Sequence, residues 1–233
     1  MRLGILLCDH VRPELAESAG DYPEFFGRLL AGHPEIELVT FDLAAGGFPD
    51  DLDQCEAWIT SGSRHSVYED VEWVARLAEL VRQLDRGRRK LIGVCFGAQM
   101  IGHALGGRVA RAPQGWQVGV KEVAVHSREP WMEPATNNFR ILFSNADQIL
   151  RPPERLRVLG SSDEVPVAMI AVDDHFIGFQ GHPEFVPAYS AALMKARRGS
   201  VIPTEIVDAG LSSLAMEPDT QLLAAWIARF IAG

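Results

Sequence analysis

Along the first half of the chain, short apolar runs rich in Leu, Ile and Val alternate with longer stretches whose apolar residues recur three and four apart. Runs of the first kind read as strands buried on both faces, and stretches of the second kind as amphipathic helices. Strands are therefore predicted from Leu3 to Cys8, Ile36 to Phe41, Ala57 to Thr60 and Leu91 to Val94, with helices from Tyr22 to Ala31 and Val71 to Leu84. A further helix follows Cys95 and stops near Leu105, where Gly106 and Gly107 supply a C-terminal signal. This alternation predicts a three-layer α/β arrangement, a mostly parallel central sheet flanked by helices.

The pattern changes in the middle. Arg108 to Arg111, Val118 to Val125, Phe139 to Phe143 and Arg157 to Gly160 read as shorter strands joined by loops containing Pro and Asn, a small antiparallel addition beside the parallel sheet. Val167 to Ala171 and His175 to Gln180, separated by Asp173 and Asp174, resemble a hairpin that places His182 at a strand end. From Pro187 the pattern is helical to the end, strongest over Leu222 to Ile231. With no repeat or flexible linker in 233 residues, the expectation is one domain over 1–233, its core over 1–190 and a C-terminal helical extension over 191–233.

Composition narrows the function classes. A formal charge of -9 argues against general nucleic-acid binding, and the basic clusters at 86–90 and 195–198 read as helix ends, where cations meet the negative pole of the helix dipole. The apolar run before Asp9 and His10 is too short for a signal-peptide core or a membrane span. Cys8, Cys55 and Cys95 are too few for a disulfide framework, which fits a cytoplasmic location. No His, Cys or carboxylate spacing suggests a metal, and no cofactor is expected.

The segment KLIGVCFGAQMIGHALGG, Lys90 to Gly107, carries the most chemistry. A buried strand ends in Gly93-Val94-Cys95-Phe96-Gly97 and turns directly into a helix, the cysteine version of the nucleophile elbow. A thiol there faces the positive end of the following helix, which favours the thiolate; the alternative is a buried structural cysteine. A thiolate nucleophile needs a base and a group to orient that base. GHPEF offers His182 and Glu184, two apart, so that in an extended conformation both side chains point the same way; a surface turn is the alternative reading. Backbone donors for an oxyanion are expected at Phe96, next after the cysteine, and in the Ser61-Gly62-Ser63 turn after a strand, with Gly62 free to aim an N–H inward. Arg64 and His65 in the same loop are candidates to meet a substrate carboxylate, whereas Asp9 and His10 read as a local turn.

Taken together and in this order, the segments resemble the class I glutamine amidotransferases, the family of the glutaminase domain of GMP synthetase, from Leu3 to about Tyr189. The resemblance implies a flavodoxin-like fold. GVCFGAQ is similar to the family's G-x-C-x-G-x-Q, which implies Cys95 as nucleophile and Gln99 as a contact to bound glutamine; QGHPEF resembles Q-x-H-P-E, implying His182 as base and Glu184 as its orienting acid. SGSRHSV resembles the oxyanion loop S-G-G-P-x-S-V, placing the second donor at Ser63 or Gly62, and FSNADQI resembles S-H-G-D-x-V, implying Asn145 and Ala146 as binding-loop positions. Ser63-Arg64 stands where Gly-Pro is usual and Asn145 where His is usual, changes that bear on the substrate rather than on the cysteine chemistry.

The expected activity is cleavage of the γ-amide of glutamine or a γ-glutamyl compound through a γ-glutamyl thioester. Two partnerships follow from what leaves. If ammonia leaves, a synthetase must accept it; if an amine or peptide leaves, the protein is an independent γ-glutamyl peptidase. A non-catalytic binding protein with the same fold is the reading from another class. No nucleic-acid or membrane partner is expected, and the residues beyond Tyr189 either cover the sheet or present a surface to a partner or a second copy.

Overall fold

The computed structural model describes residues 1–233, the side chain of Ser18 apart. Eleven strands and seven α-helices follow in the order β1 (Arg2–Leu7), α1 (Pro13–Ala19), α2 (Tyr22–Leu29), β2 (Glu37–Asp42), β3 (Ala57–Thr60), α3 (Glu72–Arg86), β4 (Lys90–Val94), α4 (Phe96–Ala104), β5 (Arg108–Arg111), β6 (Gln117–Val125), β7 (Asn138–Asn145), β8 (Asp147–Arg151), β9 (Leu156–Ser161), β10 (Met169–Val172), β11 (Phe176–Phe179), α5 (Pro187–Arg197), α6 (Thr204–Ser213) and α7 (Thr220–Ala232). Nine strands form one sheet in the order β2-β1-β3-β4-β11-β10-β9-β6-β7, and β5 and β8 form a separate pair. The first five are parallel neighbours in the flavodoxin-like order; from β11 to β7 each neighbour is antiparallel.

The burial pattern explains the parallel half. β3 is buried at every position and β1 and β4 at all but their first, because helices cover both faces of the sheet, whereas the edge strand β2 is only partly buried. On one face α2 and α7 contribute Phe25, Phe26, Trp226 and Ile227 to the core. On the other, α3 and α4 contribute Leu77, Val81, Met100 and Ile101. Local chemistry starts the helices where they are needed. Asp21 caps α2, its carboxylate accepting from the Tyr22 N–H at 2.8 Å while Glu24 reaches back to the Asp21 N–H at 3.0 Å.

The mostly parallel, helix-flanked sheet is as expected, and its antiparallel part consists of β10, β9, β6 and β7; Arg108–Arg111, expected in that addition, instead pairs with β8 apart from the main sheet, because its partner lies in the polar run after Asn145. The hairpin of β10 and β11 is present, turned by Asp173 at φ 48°. Three elements escaped the pattern: α1, seven residues opened by a proline; β8, hidden in the polar run after Asn145; and α6, a separate helix inside what read as a continuous one. Of the last two helices, α6 packs against β6 and α7 lies beside α2, with the Trp226 Nε1 donating to the Pro134 carbonyl at 3.1 Å.

The parallel strands β1, β3, β4 and β11 end at one edge. Asp9, Ser61, Cys95 and His182 follow their last residues, so this edge gathers the candidate chemistry.

Candidate active site

β4 ends at Val94 and α4 begins at Phe96, so Cys95 alone makes the turn, at φ 51° and ψ -100°. A non-glycine residue held there stores strain, on the order of 1–3 kcal/mol. The turn is clamped from both sides. The Cys95 N–H donates to the Phe179 carbonyl at 2.7 Å, and the Val94 N–H to Thr60 Oγ1 at 3.1 Å. A β-carbon on Gly93 would lie 2.7 Å from the Ala98 nitrogen, and one on Gly97 only 1.5 Å from Thr60 Oγ1, so α4 can fold back this closely only over glycines. Cys95 as a residue is 6% exposed.

His182 is fixed in three ways. Its N–H donates to the Leu142 carbonyl at 2.7 Å, tying the segment after β11 to β7. Its ring stacks on Phe185 with centroids 3.8 Å apart and planes 9° from parallel, and its Nδ1 lies 2.8 Å from Glu184 Oε1. Both residues are buried. Gly62 makes room behind the ring, since a β-carbon there would lie 2.8 Å from His182 Cε1. Burial opposes a charged imidazole, but the Glu184 carboxylate and, after it, the nearby Cys95 outweigh it and raise His182 from its ordinary value to about 10. The Glu184 carboxylate thus favours the protonated ring, and that ring lines a cavity that Cys95 also lines.

Gln180 is a neighbour that sequence reasoning missed. Its side-chain amide donates to the Cys95 Sγ at 3.7 Å, and its Oε1 accepts from Gln99 Nε2 at 3.1 Å, which also donates to the Asp147 carbonyl at 2.7 Å. The signal was present as the first residue of QGHPEF, with nothing local to give it a role. Phe96 is the first residue of α4, where the helix itself offers its N–H no acceptor. Among the described residues neither that N–H nor those of Gly62 and Ser63 donate to another group.

Residues 49–196 match the family model described as glutamine amidotransferase class-I. The chain belongs to this family. Two curated relatives come from Arabidopsis thaliana: γ-glutamyl peptidase 4 is 34% identical over 71% of this chain and 68% of its own length, and γ-glutamyl peptidase 2 is 31% identical over 83% and 81%. The crystal structure of a glutamine amidotransferase from Thermotoga maritima shares the fold with a TM-score of 0.80 at 18% identity, covering 100% of this chain and 99% of its own.

In this class I amidotransferase a cavity of about 230 Å³ opens beside Cys95, with Ser63, Gln99, Asn145, Ala146 and Asp147 in its wall. Asn145 Nδ2 donates to the Asp147 carbonyl at 3.0 Å, while its Oδ1 is buried without a partner and remains an acceptor for a donor in the cavity. Ala146 is buried, and its carbonyl accepts from the Ala112 N–H at 2.9 Å. Arg64 and His65 also line this cavity, but each has a carboxylate of its own. The Arg64 guanidinium grips Asp9, with Nε 2.8 Å from Oδ2 and Nη2 2.7 Å from Oδ1, and His65 Nδ1 lies 2.6 Å from Glu69 Oε2. Asp9 pairs with Arg64 because β1 and β3 are adjacent and parallel, a contact spanning 55 positions. Burial would raise the Asp9 carboxyl, but the Arg64 hydrogen bonds hold it below its usual value. His10 lies between Asp21 and Asp42, at 2.6 and 2.9 Å. No group of three His, Cys, Asp or Glu among the described residues is arranged to hold a metal ion.

Proposed function

We propose that the protein is a cysteine hydrolase of γ-glutamyl compounds, with Cys95, His182 and Glu184 as its catalytic triad. The observation that carries this reading is that the strained Cys95 turn and the ring of the buried His182–Glu184 pair line one cavity. The Cys95 thiolate adds to the γ-carbonyl, forming an S–C bond, and the oxyanion lies against the N–H groups of Phe96 and of Ser63 or Gly62. His182 gives its proton to the leaving nitrogen as the C–N bond breaks, leaving a γ-glutamyl thioester. Water then adds, its proton passing to His182, and glutamate leaves as the S–C bond breaks. Gln99, Asn145 and Ala146 contact the glutamyl part in this reading, with Asn145 Oδ1 as the acceptor for its ammonium group.

Similarity to the γ-glutamyl peptidases favours an amino acid or peptide as the leaving group. The family description supports a second reading, in which ammonia leaves glutamine for a partner synthetase. Incubating the purified protein with glutamine and with γ-glutamyl dipeptides, while following glutamate and ammonia, separates the two. Hydrolysis of dipeptides by the protein alone is the expected result; glutamine turnover that needs a co-purifying synthetase supports the second. Cys95→Ala should lower turnover by about three orders of magnitude or more with the fold intact, and retained turnover would remove Cys95 from the mechanism.

A further inference from the structure

The reaction itself says where the leaving group lies. Because His182 must deliver a proton to the departing nitrogen, that half of the substrate occupies the His182 side of the sulfur. A second, smaller cavity of about 60 Å³ lies there, walled by Tyr22, His182, Phe185 and Tyr189, and it meets the larger cavity at Cys95, Arg12 and Arg197.

The charges around this junction do not balance. Asp9 is matched by Arg64, and His10 by Asp21 and Asp42. Arg197 is half-buried and has no carboxylate within ion-pair distance among the described residues; its Nη1 donates to Ser144 Oγ at 3.2 Å, and its guanidinium lies 5.7 Å from the Trp116 ring centroid. Arg12 reaches only Glu14, at 3.7 Å and at the exposed surface. Burial, and then the like charge of Arg12, hold the Arg197 guanidinium below its usual value. In a chain of net charge -9, two guanidinium groups facing one cavity junction with so little compensation make a site for an anion. Trp116 and Ser144 hold Arg197 in place before any ligand arrives, which limits the ordering cost of binding.

We propose that Arg12 and Arg197 recognise a carboxylate on the leaving group, so that γ-glutamyl amino acids and peptides are preferred over γ-glutamyl amines and glutamine. This rests on the hydrolase reading above and adds the residues that discriminate among its substrates. The two arginines are specificity residues that touch the departing half and take no part in the bond changes.

The test compares γ-glutamylglycine with γ-glutamylglycinamide, which differ in the terminal charge. The wild-type protein is expected to favour the acid in kcat/KM by about ten-fold or more, as for a partly desolvated guanidinium–carboxylate contact. Arg197→Met and the double variant Arg12→Met/Arg197→Met are expected to bring that ratio close to unity. Because both substrates are measured on one preparation, the ratio does not depend on how much of a variant folds. Equal kcat/KM for the two substrates in the wild type, or a preference that survives in the double variant, overturns the proposal and leaves the hydrolase reading standing. Release of glutamate from neither substrate overturns the hydrolase reading, and this proposal with it.

Discussion

At the scale of single residues, the His182–Glu184 contact sets a pH dependence whose sign can be worked out. His182 holds its proton more tightly in the folded protein than the ordinary value of 6.5 allows, up to about 10. The stabilisation from that proton is fully present below the unfolded value and is lost as pH rises through the folded one. Glu184→Gln removes the carboxylate and should lower Tm most near pH 6, with the gap from wild type closing as pH approaches about 10. Melting curves across that range check it, and a constant gap would show that Glu184 acts by packing alone. The same variant should lose about a hundred-fold or more in kcat/KM, as when the orienting acid of a triad is neutralised.

At the scale of elements, the closeness of α4 to β3 is the sharpest demand on the sequence. Gly97→Ala would drive a methyl group into Thr60. Overpacking of this severity is expected to cost about 3 kcal/mol or more, read as a lower urea midpoint with unchanged slope. This element was also the most legible from sequence, because a buried run ending in glycines and turning into a helix announces its geometry locally. α1 and β8 were not legible. α1 is too short to show a period, and β8 owes its existence to pairing with β5, which no local pattern records. The same division holds in the candidate site. His182 and Glu184 meet as expected from one short segment, but across a turn at Pro183 and Glu184 rather than along an extended strand, whereas Arg64 finds Asp9, and Gln180 the sulfur, only once strands distant in sequence are laid side by side. Arg64 and His65 read as free to bind substrate because their carboxylate partners declare themselves only in the folded loop.

For the molecule as a whole, α7 closes one face of the sheet. Trp226 is fully buried among residues from both ends of the chain. Trp226→Ala should therefore cost about 3–5 kcal/mol, measurable by chemical denaturation, although the side chain is no part of the proposed site. No helix among the described residues is long and apolar enough to cross a membrane. Cys8 and Cys55 are buried, and Cys95 shows only 6% of its surface at the foot of its cavity. Access to the one cysteine that borders a cavity should therefore depend on a reagent's girth. A slender alkylator such as iodoacetamide should modify the native protein once, at Cys95, while a maleimide carrying a polymer chain should react far more slowly, as intact-mass measurements over time would show. Equal rates would mean that the walls around the sulfur part widely in solution; unequal rates would mean that whatever reaches it must enter end-on, narrow end first.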